Sequence, residues 1–282
     1  MEFLEFTDPV AFGAQAVPYL IQQPDVHNWM LGIADRLATV PDLGPQPPLM
    51  AMVVDEQQAP LVVAIDMSSR QLLLSAAQTP AAVTDLADHV AQRSDWAGVT
   101  GLVAEATTFA DRWQALRGDR WRLDKEVVVY HLDSLQPFTR PPGQARLATE
   151  GDRDCLIQWY DAFSREALFP LPAPIASVVD WGIGASRLYL WETDRPVAFA
   201  GLSQISSLGI GRVGPVYVPP EARGQGYGRA ISAAVSEILL AHGIACTLYA
   251  DRAQPIPNHI YQSLGYQPVA IACELAFERA IG

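Results

Sequence analysis

The chain has 282 residues, half of them hydrophobic and 18% charged, with a formal net charge of −12. Such a composition buries a sizeable core and excludes global disorder, and its acidity excludes a general nucleic-acid binder with a basic face. The charge is uneven: residues 1–135 hold 18 acidic and 8 basic side chains, residues 136–282 hold 13 and 11.

In chain order, two amphipathic stretches within residues 9–40 predict helices. Leu49–Val54, Leu61–Asp66 and Gln71–Ala76 read as strands. Thr79–Pro80, a capping residue followed by proline, opens a helix expected to run to about Arg93. A strand at Val99–Ala104, a helix at Thr108–Leu116 and a strand at Glu126–His131 complete the first half. The segment DSLQPFTRPPGQ, residues 133–144, has the proline-rich composition of a linker.

The same order then repeats. A strand at 144–148 precedes a helix that Asp152 is expected to cap and that ends near Ala167. Pro170, Pro172 and Pro174 separate it from a short helical stretch at Ile175–Trp181. Strands follow at Arg187–Thr193, Val197–Gln204 and Gly211–Val218, then a long helix from about Gly224 to His242. A strand at Ala245–Ala250, a helix at Pro257–Leu264 and a strand at Tyr266–Phe277 end the chain. The repeat predicts an α/β (α+β) chain of two domains, 1–135 and 145–282, joined by the linker 136–144.

Cys155, Cys246 and Cys273 make no ligand-spaced pair, so neither a metal site nor a disulfide framework is expected. The first residues, MEFLEFTD, are acidic where a secretory leader is positive, and no stretch nears the roughly 20 apolar residues that span a bilayer. The expectation is a cytoplasmic protein with no membrane and no nucleic-acid partner.

One segment carries chemistry. VGPVYVPPEARGQGYGRA, residues 213–230, sets Arg223, Gly226 and Gly228 in R-x-x-G-x-G spacing between a strand and a long helix, with Gly224 as a third glycine. The first turn of a helix presents unpaired N–H groups and a positive dipole end, and glycines let phosphate oxygens approach the backbone. Arg223 and Arg229 add charge at the ends of the loop Arg223, Gly224, Gln225, Gly226, Tyr227, Gly228, Arg229. A P-loop is excluded, since no lysine follows the glycines. A tight strand-to-helix turn is the structural alternative. Downstream, Asn258 and Tyr261 sit three apart, on one helix face, before Gly265–Tyr266.

Together these segments resemble the GCN5-related N-acetyltransferase (GNAT) superfamily, and PNHIYQSLGYQPV is most similar to its members with an FR47-like C-terminal domain. The resemblance covers residues 145–278 by motif and residues 1–135 by element order alone. It implies two tandem GNAT-like domains, each a mixed, mostly antiparallel sheet flanked by helices, with the first domain degenerate. It implies acetyl-CoA as co-substrate and a primary amine, on a small molecule or peptide, as acceptor, acetylated by direct attack in a ternary complex. Val216, Tyr217 and Val218 would line the pantetheine arm, residues 223–229 the pyrophosphate, and the flanking strands would splay apart. Asn258 would contact pantetheine, and Tyr261 would protonate the departing thiolate. Glu166, Glu192 and His259 are candidate bases. Trp159, Tyr160, Phe163, Phe169 and Trp181 lie where the family forms an acceptor lid, with core packing as the alternative role. In the first half, residues 76–83 lack the glycines and Trp113 stands in place of Tyr261, so no acetyl-CoA is expected to bind there. A catalytically inactive acyl-CoA sensor or interaction protein is the competing reading.

Overall fold

The computed structural model describes residues 1–39, 47–67, 71–92, 96–167, 174–205 and 209–279. The first half of the chain runs β1 (Glu2–Glu5), α1 (Pro9–Leu20), α2 (Pro24–Thr39), β2 (Met50–Val54), β3 (Pro60–Met67), β4 (Gln71–Leu74), α3 (Pro80–Val90), β5 (Gly98–Leu102), α4 (Val103–Arg117) and β6 (Arg120–Leu132). The second runs β7 (Gln144–Leu147), α5 (Arg153–Glu166), α6 (Ile175–Gly184), β8 (Leu188–Glu192), β9 (Pro196–Ile205), β10 (Ile210–Tyr217), α7 (Tyr227–Ala241), β11 (Ala245–Asp251), α8 (Pro255–Ser263) and β12 (Gln267–Glu278). The order of elements is the same in both halves. The expected mixed α/β fold, with a mostly antiparallel sheet flanked by helices, is what forms.

The chain divides into two compact units that are not contiguous. The first comprises residues 1–129, 250–253 and 269–282, the second residues 130–249 and 254–268. This differs from a division at 136–144 chiefly in β12, which joins the first unit. There its residues Ala272–Ala276 pair antiparallel with β5, and Cys273 and Leu275 enter a core with Leu74, Val99 and Trp113. Burial of that apolar face, not position in the chain, decides where the strand sits.

In the first unit the strands follow the order β1, β2, β3, β4, β5, β12. Helices α3 and α4 pack on one face, while α1 and α2 cover the other over Met50, Met52, Val63 and Ile65. Alternate residues of β2 therefore enter different cores, and all five are buried. In the second unit β7, β8, β9, β10 and β11 lie side by side. Tyr130–Leu132, the end of β6, belong to this unit, and Thr247 Oγ1 donates to the Tyr130 carbonyl at 2.9 Å. Helices α5 and α6 bury Leu156, Tyr160 and Val179 against Leu190, Phe199 and Tyr217.

Several boundaries differ from expectation. α4 begins at Val103, so Ala104 is helical where the sequence reads as strand. Asp152 does not cap α5 directly; it closes a 3-10 turn at Glu150–Asp152 through a reciprocal box with Thr149, and its carboxylate also grips Arg146. β1 carries no signal beyond two apolar residues among four. Pro170, Pro172 and Phe169 lie outside the described residues, as does Arg93.

Candidate functional site

The candidate site lies within the second unit, where two parallel strands part. β10 pairs with β11 only at Ile210↔Ala245, Gly211↔Cys246 and Arg212↔Thr247, although β10 continues to Tyr217 and β11 to Asp251. The cause is local. On its other edge β10 holds β9 at Val213↔Leu202 and next at Val216↔Ala200, so three steps on β10 oppose two on β9. A bulge of this kind bends and twists its strand. It also packs close to β9, since a Cβ added at Gly201 would meet the Gly214 carbonyl oxygen at 3.2 Å. Val216 and Tyr217 remain paired to β9 at Ala200 and Phe199, leaving their edge toward β11 outside the ladder.

After β10 the chain makes a 3-10 turn at Pro220–Ala222 and enters the glycine loop. Gly224 has φ +77° and Gly226 φ +83°, the left-handed region where a side chain is strained. At Gly228 space is the constraint: a Cβ there would stand 3.3 Å from Val218 Cγ2. Helix α7 starts at Tyr227, three residues later than the sequence suggests, because Gly226 in its left-handed conformation is the N-cap. The first helical bond is Ala230 N–H to the Gly226 carbonyl, so the N–H groups of Tyr227, Gly228 and Arg229 precede it. Gly226 offers no side chain to cap them, and no acidic residue lies in the first turn. The Tyr227 hydroxyl donates to Gln225 Oε1 at 3.2 Å, which ties the loop to the helix.

The two arginines behave differently. Arg229 contributes its backbone to the loop, but its guanidinium stacks 4.5 Å over Phe138 and donates to the Ser263 carbonyl at 3.0 Å. That cation at the C-terminus of α8 suits the helix dipole and fastens α8 to α7. Arg223 donates through Nε to the Val218 carbonyl at 2.9 Å and through Nη2 to Glu166 Oε2 at 2.7 Å. The other Glu166 oxygen accepts from the Tyr217 hydroxyl at 3.2 Å. Burial, then Glu166, pushes the Tyr217 phenol up. Of the other candidate bases, Glu192 takes Arg146 at 2.7 and 3.0 Å, and that guanidinium holds its carboxyl below the usual range. Glu192 is therefore a poor proton acceptor. His259 is exposed on α8.

Tyr261 stands on α8 with its ring 6.3 Å from that of Tyr130 and 5.9 Å, edge-on, from that of Tyr266. Burial, with Tyr130 as a smaller contribution, pushes its phenol up to about 12. Among the described residues its hydroxyl takes no hydrogen-bond partner. Asn258, in contrast, is engaged: its Nδ2 donates to the Gln254 carbonyl at 2.6 Å and its Oδ1 accepts from the Tyr130 hydroxyl at 2.8 Å. Gln262 Nε2 donates to that same hydroxyl at 3.2 Å. Tyr130 thus anchors α8 from β6, a role the sequence does not signal, because VVVYHL reads only as a strand. Behind Tyr261, Tyr266 is fully buried with its hydroxyl 2.7 Å from Ser236 Oγ, and burial pushes the nearby Cys246 thiol up to about 12.

The expected lid aromatics divide. Tyr160 is buried, Trp159 and Phe163 pack on the same core, and Trp181 is 55% exposed with Arg187 stacked 5.0 Å over it.

At the equivalent point of the first unit, backbone groups beyond the strand end are bonded within the unit. β4 and β5 also pair in parallel and stop at Leu73↔Thr100. Beyond that, the Ala76 N–H donates to His27 Nε2 at 2.9 Å, its carbonyl accepts from Tyr19 at 2.8 Å, and the Ala77 N–H donates to Glu105 Oε1 at 3.0 Å. Thr79 Oγ1 caps α3 at the Ala82 N–H, 3.3 Å away. Trp113 is fully buried against Phe109 and Phe277, its indole N–H on Asp119. Among the described residues no group of three or more His, Cys, Asp or Glu is placed to hold a metal, and no helix is long and apolar enough to cross a membrane.

Residues 184–268 match the family model of the acetyltransferase (GNAT) domain. Solved structures share the fold along nearly the whole chain. An acetyltransferase of the GNAT family from Colwellia psychrerythraea aligns over 99% of this chain and 100% of its own, at TM-score 0.62 and 11% identity. A GCN5-related N-acetyltransferase from Sphaerobacter thermophilus aligns over 99% and 96%, at TM-score 0.64 and 18% identity. A Drosophila protein aligns over 97% of both chains, at TM-score 0.66 and 12% identity. No curated protein sequence matches the chain.

Proposed function

We propose that this chain, which carries a GNAT acetyltransferase domain over residues 184–268, is an acetyl-CoA-dependent N-acetyltransferase whose chemistry resides in the second unit. The observation that carries the reading is the pairing of an uncapped, glycine-led helix N-terminus with a strand edge left open by the β10 bulge. The residues fit the co-substrate. Free N–H groups at Tyr227, Gly228 and Arg229 suit the pyrophosphate, and Gly224 and Gly226 keep side chains away from it. The edge of Val216–Val218 suits the amide-bearing pantetheine arm, although Val218 already gives its carbonyl to Arg223.

The reaction follows from these parts. An acceptor amine that has lost its ammonium proton to water, from an ordinary pKa of about 10, attacks the thioester carbonyl in a ternary complex, and the nitrogen, now positive, gives a further proton to water. A backbone N–H at the β10 bulge stabilises the oxyanion; Pro215 has none, which leaves its neighbours. As the intermediate collapses, Tyr261 donates its proton to the thiolate. Asn258 acts as a strut for α8 through Tyr130, each end of its amide holding one partner already. The first unit, its strand-end groups capped by His27, Tyr19 and Glu105, is a degenerate GNAT-like domain with a supporting role, in a tandem arrangement.

The test is thermal stabilisation by acetyl-CoA together with thiol release over a panel of primary amines. A ligand at 100 times its Kd adds about 2.7 kcal/mol. Stabilisation with amine-dependent thiol release is expected; no stabilisation refutes the reading, and binding without release with any amine marks a CoA sensor instead.

A further inference from the structure

The cationic end of Arg223 sits in a place built for a cation. Its Nη2 meets Glu166 Oε2 at 2.7 Å, and its guanidinium lies 5.7 Å over the Tyr217 ring. The second Glu166 oxygen is held by the Tyr217 hydroxyl at 3.2 Å, so the carboxylate is oriented from two sides. Trp159 stands 6.4 Å from Tyr217, and both rings neighbour Phe199. A carboxylate at the rim of an aromatic cluster is the chemistry that recognises a protonated amine.

Arg223 is also the cation that leads the glycine loop, three residues before the N-cap of α7. A pyrophosphate at that helix end competes with Glu166 for it. Both partners are about half exposed, and an ion pair of that kind is weak enough to exchange.

Resting on the acetyltransferase reading above, we propose that Arg223 is a placeholder: it occupies Glu166 and Tyr217 in the free protein, moves to the pyrophosphate when acetyl-CoA binds, and so releases the Glu166 carboxylate to hold the ammonium of a cationic amine acceptor. No covalent step is involved. Glu166 recognises the acceptor's charge, and the same carboxylate disfavours the co-substrate until Arg223 has left it.

The consequence is that removing Glu166 strengthens co-substrate binding while weakening the acceptor. Coenzyme A is titrated calorimetrically into the full chain, its Glu166→Gln and Glu166→Asp variants, Arg223→Gln, and the double variant Arg223→Gln/Glu166→Gln. Glu166→Gln is expected to tighten coenzyme A about two- to fivefold, the strength of one exposed ion pair. Arg223→Gln weakens it, and Glu166→Gln yields no further gain on that background. In thiol-release assays with acetyl-CoA, Glu166→Gln raises KM for spermidine about two- to fivefold but not for the uncharged amine aniline, and Glu166→Asp restores the spermidine value. Unchanged or weaker coenzyme A binding by Glu166→Gln overturns the proposal, as does an equal loss with both amines. If the unsubstituted chain binds coenzyme A and the variants match it, the placeholder alone fails; if it binds neither coenzyme A nor acetyl-CoA, the acetyltransferase reading fails with it.

Discussion

Replacing Tyr261 with Phe isolates one oxygen. The ring keeps its neighbours at Tyr130 and Tyr266, and the hydroxyl has no partner to abandon among the described residues. Stability should therefore change by less than about 0.5 kcal/mol. Catalysis should change far more. A phenol at about 12 is a weak acid toward a hydrated thiol of ordinary pKa, about 8.5, and transfer across that gap costs about 5 kcal/mol. A thiol held in dry surroundings titrates higher, as burial does to Cys246 in the same unit, and such surroundings narrow the gap. A thiolate released into similarly dry surroundings is matched to the phenol. Loss of a matched general acid lowers kcat by about 10²–10⁴-fold. Thiol release under saturating acetyl-CoA measures it, with KM for acetyl-CoA expected to stay within about twofold, since the hydroxyl acts in the transition state. The raised phenol also stays protonated well above neutrality, so Tyr261 imposes no alkaline limb on the unsubstituted rate below pH 10. A kcat within threefold of the original, or a melting temperature that falls along with activity, refutes the acid role.

Trp113→Ala should destabilise the chain by about 3–5 kcal/mol, because the indole is fully buried and stacked, and denaturant melts will show it. Acetyl-CoA affinity measured below the transition should be unaffected; a loss of affinity at intact folding would give the first unit a binding role. Asp152 is held by the Arg146 guanidinium at about 2, below its ordinary 3.8. Its contribution is thus full above pH 4 and lost as pH falls from about 4 to about 2, amounting to about 2 kcal/mol. The difference in unfolding free energy between the chain and Asp152→Asn should shrink across that window; a constant difference contradicts the pairing.

Most of the fold was legible because its signals are local. The apolar run Leu61–Ile65 and the Thr79–Pro80 start mark elements that formed within a few residues of expectation. The non-local choices were not legible. β12 has the pattern of any half-buried strand, and only packing of Cys273 and Leu275 assigns it to the first unit. At the site, the loop glycines announced themselves through spacing, and their positive φ values explain it. Asn258 and Arg229 fit a motif by spacing too, yet their side chains serve Tyr130 and Ser263. Spacing along one helix reports a shared face, not the partner across from it. The Glu166–Arg223 pair spans 57 residues, so nothing in either segment signalled it.

Where α3 of the first unit is capped by Thr79, α7 has no side-chain cap and the β10 edge beside it is unpaired, so acetyl-CoA should bind in the second unit and not in the first. Calorimetric titration of acetyl-CoA into the full chain and into Gly226→Val tests it most directly. One site per chain is expected, lost in the variant, where a β-branched side chain is forced into φ +83° at the N-cap. No binding by the unsubstituted chain, two sites, or undiminished affinity in Gly226→Val would contradict the account.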